Sequence, residues 1–400
     1  MNINSSTNFD AVVIGAGIIG LSIAYHLTKE KKKVLLIEKK EIGAGASGAC
    51  DDMILLQSKR PGILLSLALE SLKMYRCLEK ELPIDIEFEN RGGMVLIETE
   101  AQLSVMEKFI KEQQASGLDV SLIEKKEMRK RQPHISNHII ASTYSSLDSQ
   151  VNPLKTMQSF LAAGEKNGLI IKKGSGVRGI ENKGEFYWEV TTEDGKIFSA
   201  EFVINAAGAW AKSIGELVGL NLPIRPKRGQ IAVTEQIPTI GETNIWSADY
   251  IVMKLHPELA HDRPAILNEL GIGLAFSQTS DGNYFIGGTR EYVGFNTSTN
   301  VQAIHLVIKE AARFFPILKN VHIIRTFSGL RPASDDGKPF IGPVPSLPGF
   351  LVAAGHEGDG IALAPITGKI IADMVENNRY PLELSELSPA RLQVNQQSVS

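Results

Sequence analysis

The sequence predicts a mixed α/β fold, α+β overall, that is built from two discontinuous domains, and three observations lead to this prediction. Residues 11–38 have the hydrophobic pattern of a strand, a helix and a second strand, which is a βαβ unit. The same alternation of strand and helix returns in residues 153–210 and 350–375. The intervening segments, 89–145 and 225–325, are instead rich in short runs typical of β-strands.

The length of the chain, 400 residues, is sufficient for two separate hydrophobic cores. We therefore expect one α/β domain and one β-rich domain, each formed by separated segments. The predicted boundaries are 1–88, 146–224 and 326–382 for the α/β domain, 89–145 and 225–325 for the β-rich domain, and 383–400 for a polar C-terminal tail.

The composition excludes several classes of protein. The net charge is −3, from 42 Lys and Arg against 45 Asp and Glu, which argues against nucleic acid or an anionic membrane as the main partner. Cys50 and Cys77 are the two cysteines, which excludes a disulfide framework and a cysteine-held iron–sulfur cluster in this chain. The apolar stretch 11–27 follows Asp10 and lacks the basic start of a signal peptide. We expect a cytoplasmic location and no integral membrane segment.

The βαβ unit at the start carries a dinucleotide-binding pattern. Strand 11–14 leads through the turn GAGIIG at 15–20 into helix 20–29, and strand 34–38 ends in Glu38. The first glycine allows the tight turn, the second lets backbone approach a pyrophosphate, and the third lets the helix pack close to the strand. Glu38 can accept hydrogen bonds from ribose hydroxyls and would repel a 2′-phosphate, which disfavours NADP. We therefore expect a Rossmann-like domain that binds FAD or NAD.

Later turns favour FAD over NAD. A loop of small residues at 43–49 follows the second strand, where an NAD domain would continue with regular strands and helices. Further glycine turns at 205–208 and 355–360 each follow a predicted strand. Several glycine turns gathered around one long cofactor suit FAD.

The remaining helices and strands are predicted from hydrophobic periodicity and from residues typical of the first and last turns of helices. Pro61 begins a helix with apolar residues at helical spacing, and Asn152-Pro153 begins another that Gly168 ends. The other predicted helices are 101–115, a charged and solvated 124–131, 301–315 and 361–375, and the other predicted strands are 94–98, 121–123, 139–143, 169–172, 177–180, 186–192, 202–205 and 350–354.

Six motifs along the chain together resemble one family. They are GAGIIG at 15–20, GASG at 45–48, DSQVNP at 148–153, INAAGAW at 204–210, SGLRPASDDGKPFIGP at 328–343 and AAGHEGDGIALAPITG at 353–368. This combination resembles the D-amino-acid oxidase superfamily, and within it the glycine oxidase and sarcosine oxidase group. The HEGDG stretch is similar to flavoprotein subunits of hydrogen cyanide synthase, opine oxidase and related amino-acid dehydrogenases. The resemblance spans roughly residues 10–375.

The resemblance implies an extended FAD and a cap domain with a large antiparallel sheet. It also implies oxidation of a C–N bond next to a carboxylate, by hydride transfer to flavin N5, to give an imine. The residues implied to line FAD are Gly15, Ala16, Gly17, Ile18, Ile19, Gly20, Glu38, Lys39, Ala46, Ser47, Gly48, Val177, Ala206, Ala207, Gly208, Trp210, Arg331, Gly355, His356, Glu357, Gly358, Asp359, Gly360 and Ile361.

Arg331 is implied to anchor the substrate carboxylate, because a guanidinium binds a carboxylate through two parallel hydrogen bonds. The alternative for Arg331 is an ion pair with Asp335 or Asp336. Gln278 is expected to reach the flavin face from the cap.

The roles of His356 and Glu357 stay open. They either contact the flavin or the substrate amine, or they make hydrogen bonds that fix the C-terminal turn. His256 and His261 are expected to be surface residues, and no metal site is predicted.

Two departures from the family bear on chemistry. Sarcosine oxidases attach flavin through a cysteine, and the matching region contains neither Cys50 nor Cys77, so FAD should be noncovalent. Glycine oxidase has a second arginine where this chain has Glu357 or Gly358, which leaves Arg331 alone to bind the carboxylate. The substrate therefore stays open among glycine-, sarcosine-, proline- and opine-like amines.

The function predicted from the sequence is that of an FAD-dependent amino-acid or amine dehydrogenase that passes electrons to iron–sulfur partner subunits or another acceptor. Three alternatives remain: an oxygen-using oxidase of the same fold, an FAD-dependent 2-hydroxy-acid dehydrogenase, and a flavin-binding subunit without a substrate of its own.

Overall fold

The computed structural model describes residues 8–184, 186–249, 251–252, 256, 263–376 and 382–392. His261 and tail residues 393–400 lie outside the described residues. The strands are β1 (Asn8–Ile14), β2 (Val34–Glu38), β3 (Met53–Ile54), β4 (Gly93–Ile97), β5 (Ser121–Ile123), β6 (Ala141–Ser145), β7 (Ser149–Gln150), β8 (Ile170–Lys173), β9 (Val177–Gly184), β10 (Tyr187–Thr192), β11 (Ile197–Asn205), β12 (Ile224–Thr234), β13 (Asn244–Ser247), β14 (Ala275–Gln278), β15 (Tyr284–Gly287), β16 (Ile323–Ser334), β17 (Phe340–Pro343) and β18 (Phe350–Ala354). The helices are α1 (Ile18–Lys29), α2 (Ile63–Glu81), α3 (Glu100–Ala115), α4 (Lys125–Arg131), α5 (Pro153–Lys166), α6 (Ala211–Glu216), α7 (Ala265–Glu269), α8 (Val301–Phe314) and α9 (Gly360–Val375).

The first large sheet has a parallel centre. Its strand order is β17-β18-β11-β1-β2-β8, with β10 and β9 added as an antiparallel extension beside β11. The neighbours from β18 through β8 all run parallel. Strands β1 and β2 are almost fully buried, which explains why their sequences are near-continuous apolar runs instead of alternating ones.

Helices α1 and α9 pack together against this sheet. Close packing between them depends on Gly368 of α9, because a methyl group there would overlap the hydroxyl of Ser22 on α1. Helix α5 begins where Asn152-Pro153 predicts: the Asn152 side chain accepts hydrogen bonds from the N–H groups of Leu154 and Lys155.

The second large sheet is mostly antiparallel, with the order β16-β12-β15-β14-β13-β4-β6-β5. Strands β13 and β4 form its parallel pair. Helix α8 covers one face through buried apolar residues such as Ile304, Val307 and Phe314, which pack with Phe276 and Ile286 of the sheet. Strand β16 crosses the domain boundary predicted at residue 326, and the division into two domains remains a prediction.

Among the residues described, no helix is both long enough and apolar enough to cross a bilayer.

Candidate active site

The carboxyl ends of four parallel strands meet at one edge of the first sheet. Ile14 at the end of β1 is paired with Asn205 at the end of β11, and Asn205 is paired with Val352 near the end of β18. Strand β2 ends beside them at Glu38. Parallel strands bring the turns that follow them to the same edge, and in open α/β sheets ligands bind outside this edge. The three glycine-containing turns and Glu38 therefore converge.

The first glycine turn has no room for side chains. Gly15 has a φ of 105°, and a Cβ there would lie 2.7 Å from the carbonyl oxygen of Ala206. A Cβ on Gly20 would overlap the carbonyl oxygen of Gly15. The turn is tied to its neighbours by the N–H of Gly15, which donates to Ile37 O at 2.9 Å, and the N–H of Ala206, which donates to Ile14 O at 3.0 Å.

Glu38 is fixed by backbone groups on both of its oxygens. Its Oε2 accepts the N–H of Ala16 at 2.8 Å, and its Oε1 accepts the N–H of Lys40 at 2.8 Å. A carboxylate has about four lone-pair positions, so both oxygens can still accept hydroxyl hydrogen bonds. The carboxylate of Glu38 thus lines the cavity in a fixed orientation.

Ser47 connects the small-residue loop to the start of α1. Its Oγ accepts the N–H of Ile18 at 3.0 Å, which leaves the hydroxyl proton available to donate. A Cβ on Gly17 would lie only 3.1 Å from this oxygen, so the glycine keeps the space above the helix N-terminus open. Gly17 is the N-cap of α1 and has no side chain of its own to cap the helix, so the N–H of Ile18 is capped by Ser47 instead.

One cavity of about 390 Å³ extends along this edge. It reaches from Lys39 and Val177 to Arg331 and Ile361. The predicted cofactor residues that line it are Gly15, Gly17, Ile18, Ile19, Glu38, Lys39, Ala46, Ser47, Val177, Ala206, Ala207, Gly208, Trp210, Arg331, His356, Glu357, Gly358, Gly360 and Ile361.

Five predicted cofactor residues lie in the same turns but do not line this cavity: Ala16, Gly20, Gly48, Gly355 and Asp359. Gly20 packs against the backbone of Gly15, and a Cβ on Gly48 would overlap the carbonyl oxygen of Gly43. Gly20 and Gly48 therefore shape their turns from behind, through close backbone packing, whereas Asp359 lines the smaller cavity described below.

The C-terminal turn presents His356 and Glu357 to the cavity. His356 is 4% exposed, and burial lowers its pKa to about 4, so the imidazole is neutral near pH 7. Its Nε2 lies 3.1 Å from Oγ1 of Thr367. Glu357 forms an ion pair with Lys227, with 2.5 Å between Oε1 and Nζ. Both residues therefore have structural partners that fix the turn, and both remain at the cavity wall.

Arg331 is held in a space that two glycines leave open. A methyl group at Gly229 on the neighbouring strand β12 would overlap the guanidinium, and a Cβ on Gly288 would lie 3.6 Å from it. One guanidinium nitrogen donates to Thr289 O at 2.8 Å.

The alternative of an ion pair with Asp335 or Asp336 is wrong. Asp335 pairs with Arg225 at 2.9 Å, and Asp336 pairs with Arg391 at 2.9 Å. Both carboxylates are thus engaged on the outside of the fold, whereas Arg331 faces the cavity.

A smaller cavity of about 50 Å³ adjoins the large one. The two share Asp51, Met53, Ile231, Arg331 and Gly358 at their walls. The smaller cavity is also lined by polar and charged residues: Ser58, Lys59, Thr289, Arg290 and Asp359.

Cys50 and Asp51 are lining residues that were not predicted. Burial raises the pKa of the Cys50 thiol well above its usual value, so it is not a thiolate. The sequence did contain a signal, because two consecutive carboxylates, Asp51 and Asp52, lie one residue after a small-residue loop that was expected to lie against the cofactor.

The position of Gln278 differs from its prediction. Its side-chain amide donates to the carbonyl oxygens of Ile237 at 3.1 Å and Gly282 at 3.4 Å, and it lines neither cavity. Successive residues of a strand point to opposite faces of the sheet. Ser277 of β14 reaches Asp52 beside the cavity, and Gln278 therefore points away from it.

The described residues contain no group of three or more His, Cys, Asp or Glu side chains suited to a metal ion.

The cavity fits the FAD that the motifs imply. The glycines at 15 and 17 leave room for a pyrophosphate, and the N-terminus of α1 provides N–H groups and the positive end of a helix dipole. At the far end, α9 begins at Gly360 on the cavity wall, and no side chain caps it. A second helix N-terminus there can stabilise negative charge on a reduced flavin.

Comparisons with known proteins show the family and the fold. The model of a family described as "DAO: FAD dependent oxidoreductase" matches residues 10–374. The chain is 27% identical to the hydrogen cyanide synthase subunit HcnC of Pseudomonas aeruginosa over 96% of both chains. It is 29% identical to glycine oxidase of Bacillus subtilis, over 92% of this chain and 94% of that protein. The crystal structure of glycine oxidase from Geobacillus kaustophilus superposes with a TM-score of 0.85 at 26% identity, over 96% of this chain and 98% of that one.

Proposed function

The chain belongs to the DAO family of FAD-dependent oxidoreductases, and we propose that it oxidises the C–N bond of a small amino acid or secondary amine to an imine. It is an amino-acid or amine oxidoreductase of this family, and FAD is its cofactor. The proposal adds the bond, the size of the substrate and the residues that act on it.

In this proposal, the residues that line the large cavity hold FAD noncovalently. Glu38 would accept the ribose hydroxyls, the start of α1 together with Ser47 would bind the pyrophosphate, and the N-terminus of α9 would stabilise negative charge on the reduced flavin. When bound, the flavin supplies the acceptor for a hydride. The chain itself supplies orientation and charge.

The observation that best supports the proposal is that the guanidinium of Arg331 has donors available for a ligand. Within the described part of the chain its hydrogen bond is to the Thr289 carbonyl, and no carboxylate pairs with it. A guanidinium has five N–H donors, so a pair of them can bind a substrate carboxylate. Because the cation lies where the two cavities meet, a bound carboxylate would place the adjacent Cα at the large cavity.

Part of the wall of the large cavity is aromatic and remains exposed to solvent, at Trp210. Trp210 lines the large cavity and stacks on Phe295, with 5.4 Å between ring centroids. A neutral His356 adds no charge that would compete with the arginine for the carboxylate. Alignment of the substrate in such a site contributes much of the rate acceleration in reactions of this type.

The proposal is tested by mixing the purified holoprotein anaerobically with amino acids and with 2-hydroxy acids. Glycine, sarcosine, proline or an opine-type secondary amine should bleach the absorbance of the oxidised flavin, and matched hydroxy acids should not. Arg331→Met should retain FAD and lose reduction at the same amine concentration. Bleaching by hydroxy acids alone would overturn the proposal in favour of a 2-hydroxy-acid dehydrogenase. Absence of bleaching by any of these compounds would favour a flavin-binding subunit.

We further propose that electrons leave to protein partners. This rests on the similarity over nearly the full length to HcnC, which is named as a subunit of hydrogen cyanide synthase. Two cysteines cannot hold an iron–sulfur cluster, so such clusters would lie in partner subunits. Both cysteines are free thiols, which suits a cytoplasmic protein. Slow reoxidation of the reduced protein by air would support this proposal. Fast reoxidation with stoichiometric hydrogen peroxide would show an oxygen-using oxidase instead.

A further inference from the structure

We propose that Asp51 binds the amino group of the substrate opposite Arg331 and accepts the proton that an ammonium must lose before its C–N bond is oxidised. This inference rests on the proposed function, because it assigns a residue to the amine in the same site. It adds a side chain that neither the motifs nor the family resemblance selected.

The position of Asp51 is the first argument. Asp51 lies in the loop between the GASG turn and β3, and it lines both cavities at the place where they meet. Arg331 lines the same two cavities. The N–H of Met53 donates to Oδ1 of Asp51 at 3.3 Å, so the carboxylate is held by its own loop. A site with an anion and a cation at one junction is complementary to the zwitterion of an amino acid.

The charges around Asp51 are the second argument. The groups that face it are Arg331 from β16, Lys59 from the segment after β3, and its own neighbours Cys50 and Asp52. Lys59 is paired with Asp359 at 2.6 Å, and Asp52 accepts a hydrogen bond from Ser277 at 2.5 Å. Lys59 and Asp52 are therefore engaged with other partners, and Asp51 is available to a ligand in the cavity.

Burial makes Asp51 a better proton acceptor than an exposed carboxylate. It raises the pKa of Asp51 above its usual value, while the guanidinium of Arg331 opposes this effect. The carboxylate takes one proton from the substrate ammonium and becomes neutral. The nitrogen lone pair released in this way forms the C=N bond as the hydride leaves Cα with both C–H electrons for the flavin. Atoms and charges then balance without another reactant.

The test uses a pair of inert ligands and the FAD-loaded protein. 2-Aminoisobutyrate has an amine and a carboxylate but no hydrogen on Cα, so it can bind but cannot reduce the flavin. Isobutyrate has the same carboxylate and a hydrogen in place of the amine. Calorimetry should show that the wild-type protein prefers 2-aminoisobutyrate. Asp51→Asn should weaken the binding of 2-aminoisobutyrate about tenfold or more, which corresponds to the loss of one charge-assisted hydrogen bond. The same variant should change the binding of isobutyrate little.

A matched control is Asp335→Asn, which removes an exposed carboxylate outside the cavity and should leave both affinities unchanged. Asp51→Ser serves as a second variant if the asparagine variant does not retain FAD. With an oxidisable amine, the rate of flavin reduction by the wild-type protein should rise with pH through the pKa of the bound pair. Either Asp51 variant should lose this limb of the profile.

Equal wild-type affinity for the two ligands, or no binding of 2-aminoisobutyrate, would overturn the inference. So would an Asp51→Asn variant that weakens both ligands to the same extent. These results are distinct from failure of the proposed function, in which no amine bleaches the flavin of the wild-type protein or of any variant.

Discussion

At the residue scale, the orientation of Arg331 depends on glycines at the positions beside its guanidinium. Strands β12 and β16 pair Gly229 with Gly329, and Arg331 lies two residues further along β16, opposite Lys227. Its guanidinium extends over the Cα of Gly229, where any side chain would overlap it. The glycine in β12 weakens a strand position in return for this space. Gly229 therefore provides the room that the guanidinium occupies.

This arrangement predicts the effect of Gly229→Ala. The new methyl group should displace the guanidinium, which is the mobile end of a flexible side chain, with little disturbance of the strand. We expect about a tenfold loss in affinity for a carboxylate ligand such as isobutyrate, equivalent to about 1.4 kcal/mol, with FAD content retained. Calorimetric titration measures this loss.

The control is Gly179→Ala in β9, where the added methyl group would meet Thr191 at an ordinary 3.7 Å. It should leave both affinity and FAD content unchanged. If Gly229→Ala bound the ligand as tightly as the wild-type protein, the orientation of Arg331 would not depend on this glycine.

At the scale of elements, the sequence predicted the strands and helices that form the cofactor edge. Strands 34–38 and 350–354 match β2 and β18, and helix 361–375 matches α9 to within one residue. These are buried elements with strong periodicity and clear glycine ends, and local sequence suffices for them. Strand β11 instead begins at Ile197, five residues before its predicted start, because its first half forms an antiparallel ladder with β10.

The residues of the candidate site could be predicted only where a short local sequence pattern identifies them. The glycine turns and Glu38 are local patterns, and all three turns reach the cavity. Gln278 was misplaced because the sequence does not fix which face of β14 points inward, and a shift of one residue reverses it. Asp51 was missed because no local pattern shows that the fold brings it to the same cavity wall as Arg331, which lies 280 positions later in the chain.

The contact between Lys59 and α9 shows how one element is positioned by another. Lys59 is 2% exposed, and its ammonium donates to Leu55 O at 2.7 Å, to Ser58 Oγ at 3.2 Å and to Asp359 at 2.6 Å. Asp359 is the N-cap residue of α9. The ion pair therefore ties the loop after β3 to the start of α9, which lines both the large and the small cavity.

We predict that Lys59→Met destabilises the protein by about 3 kcal/mol, because it leaves the carboxylate of Asp359 without this partner. Asp359→Asn should also destabilise the protein, because it leaves the more deeply buried ammonium of Lys59 without a counter-charge, although the amide oxygen can still accept a hydrogen bond. Denaturant unfolding of both single variants and of the double variant measures the coupling. The double variant should be less destabilised than the sum of the two single variants. A strictly additive result would show that the pair contributes nothing.

At the scale of the whole molecule, the two large sheets meet at the loop that carries Asp51 and Asp52. Asp52 is buried, and the hydroxyl of Ser277 on the second sheet donates to it. Met53 and Ile54 directly after it pair with Gln150 and Ser149 in the short ladder of β3 and β7. The loop therefore joins the cofactor edge to the second sheet, and its two consecutive acids serve different purposes: Asp51 faces the cavity and Asp52 faces the protein interior.

This difference predicts how stability depends on pH. Burial is the main cause that raises the pKa of Asp52 to about 7, from its ordinary value of 3.8. Between these two values the folded protein holds a proton that the unfolded chain has released, so the stability contributed by Asp52 falls as pH rises through this window. The slope is at most about 1.4 kcal/mol per pH unit, and above the folded pKa the loss is complete.

Asp52→Asn isolates this effect, because an amide oxygen can still accept the Ser277 hydroxyl but carries no charge at any pH. Relative to the wild-type protein, the variant should gain free energy of unfolding between pH 5 and pH 8, with most of the gain below pH 7. Titrating groups that do not interact with Asp52, such as Asp148 and His356, are present in both proteins and cancel in the difference. Denaturant unfolding of the holoprotein at several pH values gives that difference directly. A constant difference across this range would show that Asp52 is ionised in the folded protein throughout, and that the loop joins the two sheets through a buried charge.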